Sequence, residues 1–298
     1  MEKKNVILKV ENLTHKFDGK IALDNVNFEV ESGEFLAILG PSGCGKTTIL
    51  RTLIGLLEPT EGNIIMDGID ITHADPSKRN MGIVFQNYAL FENMTVLQNV
   101  EYAMKFNKET KGNSRQLALD MLERMGLTEH KDKKPNMLSG GQQQRVAIAR
   151  TLVLHPRVIL FDEPMSALDV ETRLSMRKEI KQIQKTFGTT MIYITHDQEE
   201  AFAMADRIMV MDEAKLIQFD TPIQIIKKPA NEYVRRFVLD NLQIKIDSLV
   251  GDIYNEVGYE FNLNSPKQLG EALFEKMGLP AKKKTKSLTI TLKTSHLT

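Results

Sequence analysis

Three stretches of this chain concentrate polar groups at spacings that serve phosphate chemistry. Residues 40–47 read GPSGCGKT, directly after the apolar run FLAIL and at the start of the helical pattern TTILRTLIGLL. Gly40, Gly43 and Gly45 let backbone N–H groups curl round a tetrahedral anion, and a helix starting at the same place adds the positive end of its dipole. Lys46 then reaches β- and γ-phosphate oxygens and the Thr47 hydroxyl is placed to ligate Mg²⁺, with Pro41, Ser42, Cys44 and Thr48 completing the loop. Cys44 takes a variable position that asks only for a small residue, and alkylating it is expected to obstruct the anion site. Residues 158–164, VILFDEP, are an apolar strand ending in two acids: Asp162 can hold the metal, and Glu163 can orient or deprotonate a water. His196 follows a third apolar run, TTMIYIT, and can reach the γ-phosphate.

These groups need a rigid frame. The near-continuous apolar runs FLAIL and VILF look buried on both faces, as strands of a parallel sheet between helix layers are. Further strand patterns lie at 6–10, 26–30, 64–66, 82–85, 190–194 and 207–211, and helical periods at 114–125, 142–154 and 170–187. The fold class is therefore α/β, with turn signals near residues 18–19, 32–33, 59–62 and 67–68 placing the early strands in an antiparallel subdomain.

Composition narrows the function classes. The 298 residues carry 39 basic and 39 acidic side chains, so the overall balance suggests neither a polyanion-binding nor a membrane-coating protein. One cysteine excludes an internal disulfide framework and fits a reducing compartment. No stretch approaches the roughly 18 apolar residues of a membrane helix, so a cytoplasmic chain that does not itself cross a membrane is expected.

Phosphate loops serve many activities, and a further motif separates them. Residues 138–145 read LSGGQQQR. With GPSGCGKT, Gln86 in VFQNYALF, VILFDEP, SALD at 166–169 and His196, in that order, residues 4–241 resemble the ATP-binding cassette ATPases of P-loop fold. That resemblance implies a mostly parallel core sheet, an antiparallel β-subdomain and an α-helical subdomain. It implies ATP as the nucleotide with Mg²⁺ held at Thr47, Gln86 and Asp162, and hydrolysis by Glu163, His196 and Gln86. It further implies that Ser139, Gly140, Gly141 and Gln142 complete the ATP site of a second subunit, and that Asp169 lies across that interface. Phe17 falls where the family stacks an aromatic ring on adenine, although an ordinary core position is a rival reading.

Within the family, NYALFENMTVLQNVEYAM and THDQEEAFAMADRIMVM resemble the importers of the polyamine, iron(III), sulfate, quaternary-amine and maltose group. Such an importer implies a homodimer of cassettes at the cytoplasmic face of the membrane. Its partners are integral permease subunits, which meet the surface near residues 86–97, and through them an extracytoplasmic substrate-binding protein. A soluble cassette ATPase of the translation or repair type is the alternative. Two departures from the family pattern stand out. Met165 replaces the usual Leu, an apolar exchange expected to cost less than about 1.5 kcal/mol. Ala214 stands where a turn glycine is common and is expected to force another turn type.

Residues 242–298 read differently. Within them, 252–286 resemble a segment of family A DNA polymerases, without the palm carboxylates that polymerase activity requires. A chimeric or loosely packed tail is expected, and nucleic acid is not expected as a partner. Four lysines at 282, 283, 284 and 286 would be the groups lending DNA contact in a genuine fusion, but such a run is more often a solvated one. The apolar face of Leu269, Leu273, Phe274 and Met277 has no counterpart in the cassette that looks made for it. Limited proteolysis is expected to trim the chain to a core ending near residue 241; protection of 252–286 at protease levels that spare the cassette would contradict a loosely attached tail.

Overall fold

A computed structural model of the chain describes residues 5–106, 110, 112–166, 168–240, 253–260, 265, 268 and 271–276. The chain starts with two long strands, β1 (Val6–Phe17) and β2 (Lys20–Glu31), joined by the tight Asp18-Gly19 turn. β3 (Phe35–Leu39) is the run FLAIL, all five residues buried, and it feeds α1 (Lys46–Ile54). Next come β4 (Glu61–Met66), β5 (Ile69–Asp70), β6 (Met81–Val84), α2 (Val96–Glu101), α3 (Ser114–Arg124) and α4 (Gly140–Leu152). The last third supplies β7 (Val158–Asp162), α5 (Val170–Phe187), β8 (Thr190–Thr195), α6 (Gln198–Met204), β9 (Arg207–Asp212), β10 (Lys215–Asp220) and α7 (Pro222–Lys227).

Two sheets result. The first is antiparallel, in the order β2-β1-β4-β5; the second runs β10-β9-β3-β8-β7-β6, parallel throughout except for the edge pair β9–β10. The α/β reading holds, with the antiparallel subdomain where the turn signals put it. Strand alternation divides the core. Phe35, Ile159, Phe161, Met191 and Tyr193 face a cluster shared with α2, α3, α4 and α5. Their neighbours Leu36, Ile38, Leu160, Ile192 and Ile194 face a cluster shared with β1, β2 and α1. Both faces of the second sheet are therefore covered, which is why FLAIL and VILF carry no polar alternation.

Two local outcomes differ from expectation or decide it. Ala214 does not force another turn type: Glu213 and Ala214 both take positive φ (42° and 67°), the geometry of a two-residue hairpin loop between β9 and β10. The Ala214 carbonyl accepts from Asp24 N–H at 2.9 Å, which ties the turn to β2. Met165 is fully buried among the helical-side core residues, so it replaces one apolar group with another.

The chain divides into two compact units, Met1–Val234 and Arg235–Thr298. In the second unit residues 253–257 are helical, Gly258 at φ 85° ends the helix by donating to Tyr254 O at 2.8 Å, and Val257 and Ala272 are buried beside Tyr254. Leu273 lies in the helical segment Glu271–Lys276 and is half-buried. Leu269, Met277, the side chain of Phe274 and the four lysines at 282–286 lie outside the described residues.

One buried polar network sits beside the second sheet. Tyr193 Oη and Thr195 Oγ1, both on β8, donate to Glu200 Oε2 of α6 at 3.0 and 2.8 Å. Burial pushes the Glu200 carboxyl above its ordinary value of 4.5, against the pull of those two hydroxyls. A carboxyl raised on folding holds its proton more tightly in the native state. Its contribution to stability is full below 4.5 and is lost as pH rises through the raised value. Glu200→Gln removes that loss, so its melting temperature relative to the parent chain is expected to be higher at pH 7 than at pH 4. Thermal melts at the two pH values check it, and an equal difference at both would contradict the assignment.

Candidate functional site

In a parallel sheet every strand delivers its C-terminal residues to the same edge. Here β3, β8, β7 and β6 are consecutive neighbours. Their ends carry, in order, the loop 40–45, His196, the pair Asp162 and Glu163, and Gln86. Four groups scattered over more than 150 residues of sequence thus come to one edge without any long loop.

The phosphate loop is built around buried backbone. A Cβ on Gly45 would meet Ala22 O at 2.5 Å, and Gly45 holds φ 104° as the N-cap of α1. A Cβ on Gly40 would meet Met211 O at 2.5 Å. Lys46 is only 5% exposed, and its ammonium donates to the carbonyls of Gly40 and Pro41 at 2.7 and 2.8 Å. An ammonium has three donors, so one remains. Ser42 and Gly43 form the exposed tip, and Thr47 and Thr48 are half-buried on the first turn of α1. Cys44 is a free, buried thiol whose pKa burial pushes up. It is a packing residue and a poor nucleophile, so a reagent reaches it slowly in the folded state.

The acidic end is strained. Glu163 takes φ 44°, a conformation uncommon outside glycine, and its carboxylate meets His196 Nδ1 at 3.0 Å. Glu163 N–H donates to Ile194 O at 3.1 Å, and its carbonyl accepts from Ser166 Oγ at 3.0 Å. The Ser166 hydroxyl in turn accepts from Gln86 Nε2 at 2.9 Å, so Gln86, Ser166 and Glu163 form one chain of contacts. Burial and the neighbouring Glu163 charge raise the Asp162 carboxyl, while Arg51 and Lys46 pull it down.

Residues 138–145, LSGGQQQR, the signature segment, form a helix start. Ser139 caps α4 by a capping box: its Oγ accepts from Gln142 N, and its own N–H donates to Gln142 Oε1. Gly140 and Gly141 pack under Leu168 and Met176, where a Cβ would come within 3.2 and 3.3 Å of those side chains. Asp169 caps α5, its carboxylate accepting from Thr172 N–H and hydroxyl at 2.9 and 2.6 Å, and the hydroxyl holds it below the usual carboxylate range. Phe17 is not a core residue: it is 47% exposed, with one edge against His15 at a centroid distance of 4.4 Å.

Three residues escaped sequence reasoning because nothing in their local pattern names the backbone carbonyls they hold. Arg150, near the end of α4, donates to Ala89 O at 2.7 Å and Tyr88 O at 2.9 Å. Tyr88 and Ala89 both hold positive φ (60° and 46°), so the guanidinium fork satisfies the carbonyls of a strained turn two residues beyond Gln86. Arg173 donates to Leu168 O at 3.2 Å and pairs with Asp197 at 3.4 Å, joining the SALD segment to the residue after His196. Asn99, fully buried, accepts from Phe91 N–H and donates to the carbonyls of Phe91 and Thr95, which fixes the loop before α2.

A parallel sheet with a glycine-cradled lysine at one strand end and a carboxylate pair at another defines a P-loop nucleotide-binding protein. The comparisons with known proteins narrow the class. The model of the ABC transporter family matches residues 23–166, and that of DNA polymerase family A matches residues 233–298. The chain is 46% identical over 235 residues to the spermidine/putrescine import ATP-binding protein PotA of Marinobacter nauticus, a match covering 79% of this chain and 63% of that protein. It is 44% identical over 264 residues to the Fe(3+) ions import ATP-binding protein FbpC of Fusobacterium nucleatum, covering 88% of this chain and 71% of that protein. Among solved structures, cbiO1 from Clostridium perfringens, described as part of the ABC transporter complex cbiONQ, matches with a TM-score of 0.71 at 32% identity. That match covers 82% of this chain and all of that one. The chain belongs to the ABC transporter ATP-binding family. Its match spans 63–65% of the length of the polyamine-import relatives from Marinobacter and Nitratidesulfovibrio.

The Arg150 clamp gives a direct test. Arg150→Met keeps the apolar stem and removes both donors, and Arg150→Lys keeps the charge but not the fork. Both are expected to lower turnover about tenfold while leaving ATP affinity within about twofold, the scale of one hydrogen bond to a charged group. Steady-state kinetics beside a nucleotide-binding titration check this; a lysine variant at parental turnover would contradict it.

Proposed function

We propose that this chain is an ATP hydrolase that powers uptake of a small solute through an ABC importer. The observation that carries the reading is the convergence, at the ends of four adjacent parallel strands, of Lys46, the Asp162–Glu163 pair, His196 and Gln86. Lys46, with the backbone of 40–45, holds the nucleotide phosphates, and the exposed ring of Phe17 stacks on adenine. Glu163 aligns the attacking water and accepts its proton, His196 holds the Glu163 carboxylate and meets the γ-phosphate, and Gln86 follows the state of the site through Ser166.

The residues present fit a magnesium ion bound with phosphate. Among the described residues no group of three or more His, Cys, Asp and Glu gathers as a self-sufficient cage. One carboxylate, a hydroxyl and an amide suit a metal that takes the rest of its oxygen ligands from phosphate and water. Thr47, Asp162 and Gln86 would hold it, and when bound it neutralises charge on the phosphate oxygens.

Ser139, Gly140, Gly141 and Gln142, with Asp169, complete the site of a second copy, so the working unit is a head-to-tail dimer. No described helix is long and apolar enough to cross a membrane. The chain works at the cytoplasmic face through integral permease subunits docked near residues 86–97, which a substrate-binding protein loads from outside. The names of the relatives from Marinobacter and Fusobacterium support a polyamine or iron(III) as cargo; a quaternary amine fits the same group. The cassette is proposed to span residues 1–241. The tail, 242–298, has a separate origin, a reading supported by its own family match and by the division at Val234 and Arg235.

Glu163→Gln removes the base and keeps the shape. It is expected to lower ATP turnover by at least about a hundredfold, the scale of general-base catalysis, while ATP binding persists. Turnover at the parental rate would remove Glu163 from the catalytic role. Turnover of the parent chain is also expected to rise faster than linearly with protein concentration, and strict linearity would argue for a monomeric enzyme.

A further inference from the structure

The box that opens α4 fixes the orientation of the Gln142 carboxamide. Its Oε1 accepts from Ser139 N–H at 3.0 Å, which turns its NH₂ the other way. There the NH₂ meets His130 Nε2 at 3.1 Å, on the short turn Thr128–His130. An amide NH₂ has no lone pair to offer, so Nε2 must be the accepting nitrogen. The ring proton then sits on Nδ1, a tautomer inferred from the network around it. Nδ1 is buried and has no hydrogen-bond partner among the described residues. The imidazole thus leaves a buried donor unsatisfied in the one tautomer that fits the box. The reverse amide orientation would satisfy Nε2–H with Oε1, but it would set the NH₂ against Ser139 N–H, donor against donor, and open the box.

We propose that His130 is a positioning residue for the signature segment: its neutral ring selects the Gln142 amide orientation that keeps Ser139, Gly140 and Gly141 in helix-start geometry. The inference rests on the reading that this segment meets nucleotide bound by a second copy. It acts through Gln142 and does not touch the nucleotide held by its own chain. Removing the acceptor at 130 therefore weakens association of two ATP-loaded copies and lowers turnover, and leaves ATP binding to one copy intact.

The test compares His130→Leu, which removes the acceptor, with His130→Gln, whose carbonyl restores one. In full-length chains carrying Glu163→Gln, sedimentation velocity with Mg-ATP gives the concentration at half dimerisation, and equilibrium titration at low protein gives ATP affinity. His130→Leu is expected to raise the half-dimerisation concentration about fivefold, the scale of one capping interaction, with ATP affinity changed less than about twofold. In chains that retain Glu163, the same variant lowers turnover at low protein concentration, and raising the protein concentration recovers it. His130→Gln is expected to restore both within about twofold. Ser139→Ala in the same background serves as the reference. If Ser139→Ala weakens association and His130→Leu does not, or if His130→Gln fails to rescue, the role of His130 is overturned while the second-copy reading stands. If neither variant changes association, the second-copy reading falls and takes the role of His130 with it.

Discussion

The Lys46 ammonium, nearly buried, is held by two carbonyls of the loop it belongs to, and this contact sets the terms for the rest of the molecule. A buried cation needs close acceptors, and the carbonyls of Gly40 and Pro41 can turn inward only where no Cβ blocks the backbone. Met211 O and Ala22 O stand where side chains on Gly40 and Gly45 would lie, so β9 and β2 also shape the loop. The loop in turn needs β3 at a fixed depth, and β3 keeps that depth because β8 and β9 flank it in parallel register and both its faces are covered. Core burial is thereby converted into the position of one charged group.

Part of the backbone strain among the described residues lies at the same edge. Glu163, Tyr88 and Ala89 hold positive φ, each at a cost on the order of 1–3 kcal/mol that the surroundings must offset. Ile194 O, Ser166 and His196 hold the first, and Arg150 holds the other two. Because α4 begins with the Ser139 cap and carries Arg150 near its other end, one rigid helix joins the signature segment to the turn after Gln86. Arg173 makes a second link, between Leu168 and Asp197. Single arginines thus tie the turn at Tyr88 and Ala89 to α4, and the segment before α5 to Asp197.

The sequence made some of this legible and hid the rest for physical reasons. β3, β7 and β8 could be read because strands buried on both faces leave continuous apolar runs, and α5 because its period is long and regular. β10 (KLIQFD) was missed because no residue of it is fully buried and the pattern is mixed. α2 was missed because six residues are too few to show a period. Site positions followed from motifs, yet the contacts of Arg150, Arg173, Asn99 and His130 could not, since each depends on how a loop or turn folds back on the side chain. Phe17 shows the opposite case: its place in a strand leaves adenine stacking and an ordinary core position both open, and its exposure removes the core position.

The central claim is that the lysine loop of one copy and the signature segment of another enclose the same ATP. A crystal structure of the Glu163→Gln chain with Mg-ATP tests it most directly. The account predicts a two-fold dimer in which the γ-phosphate contacted by Lys46 of one protomer lies within hydrogen-bond distance of Ser139 or the Gly141 amide of its partner. A nucleotide bound at Lys46 in a monomer, with Ser139 facing solvent in solution and in the lattice, would contradict it.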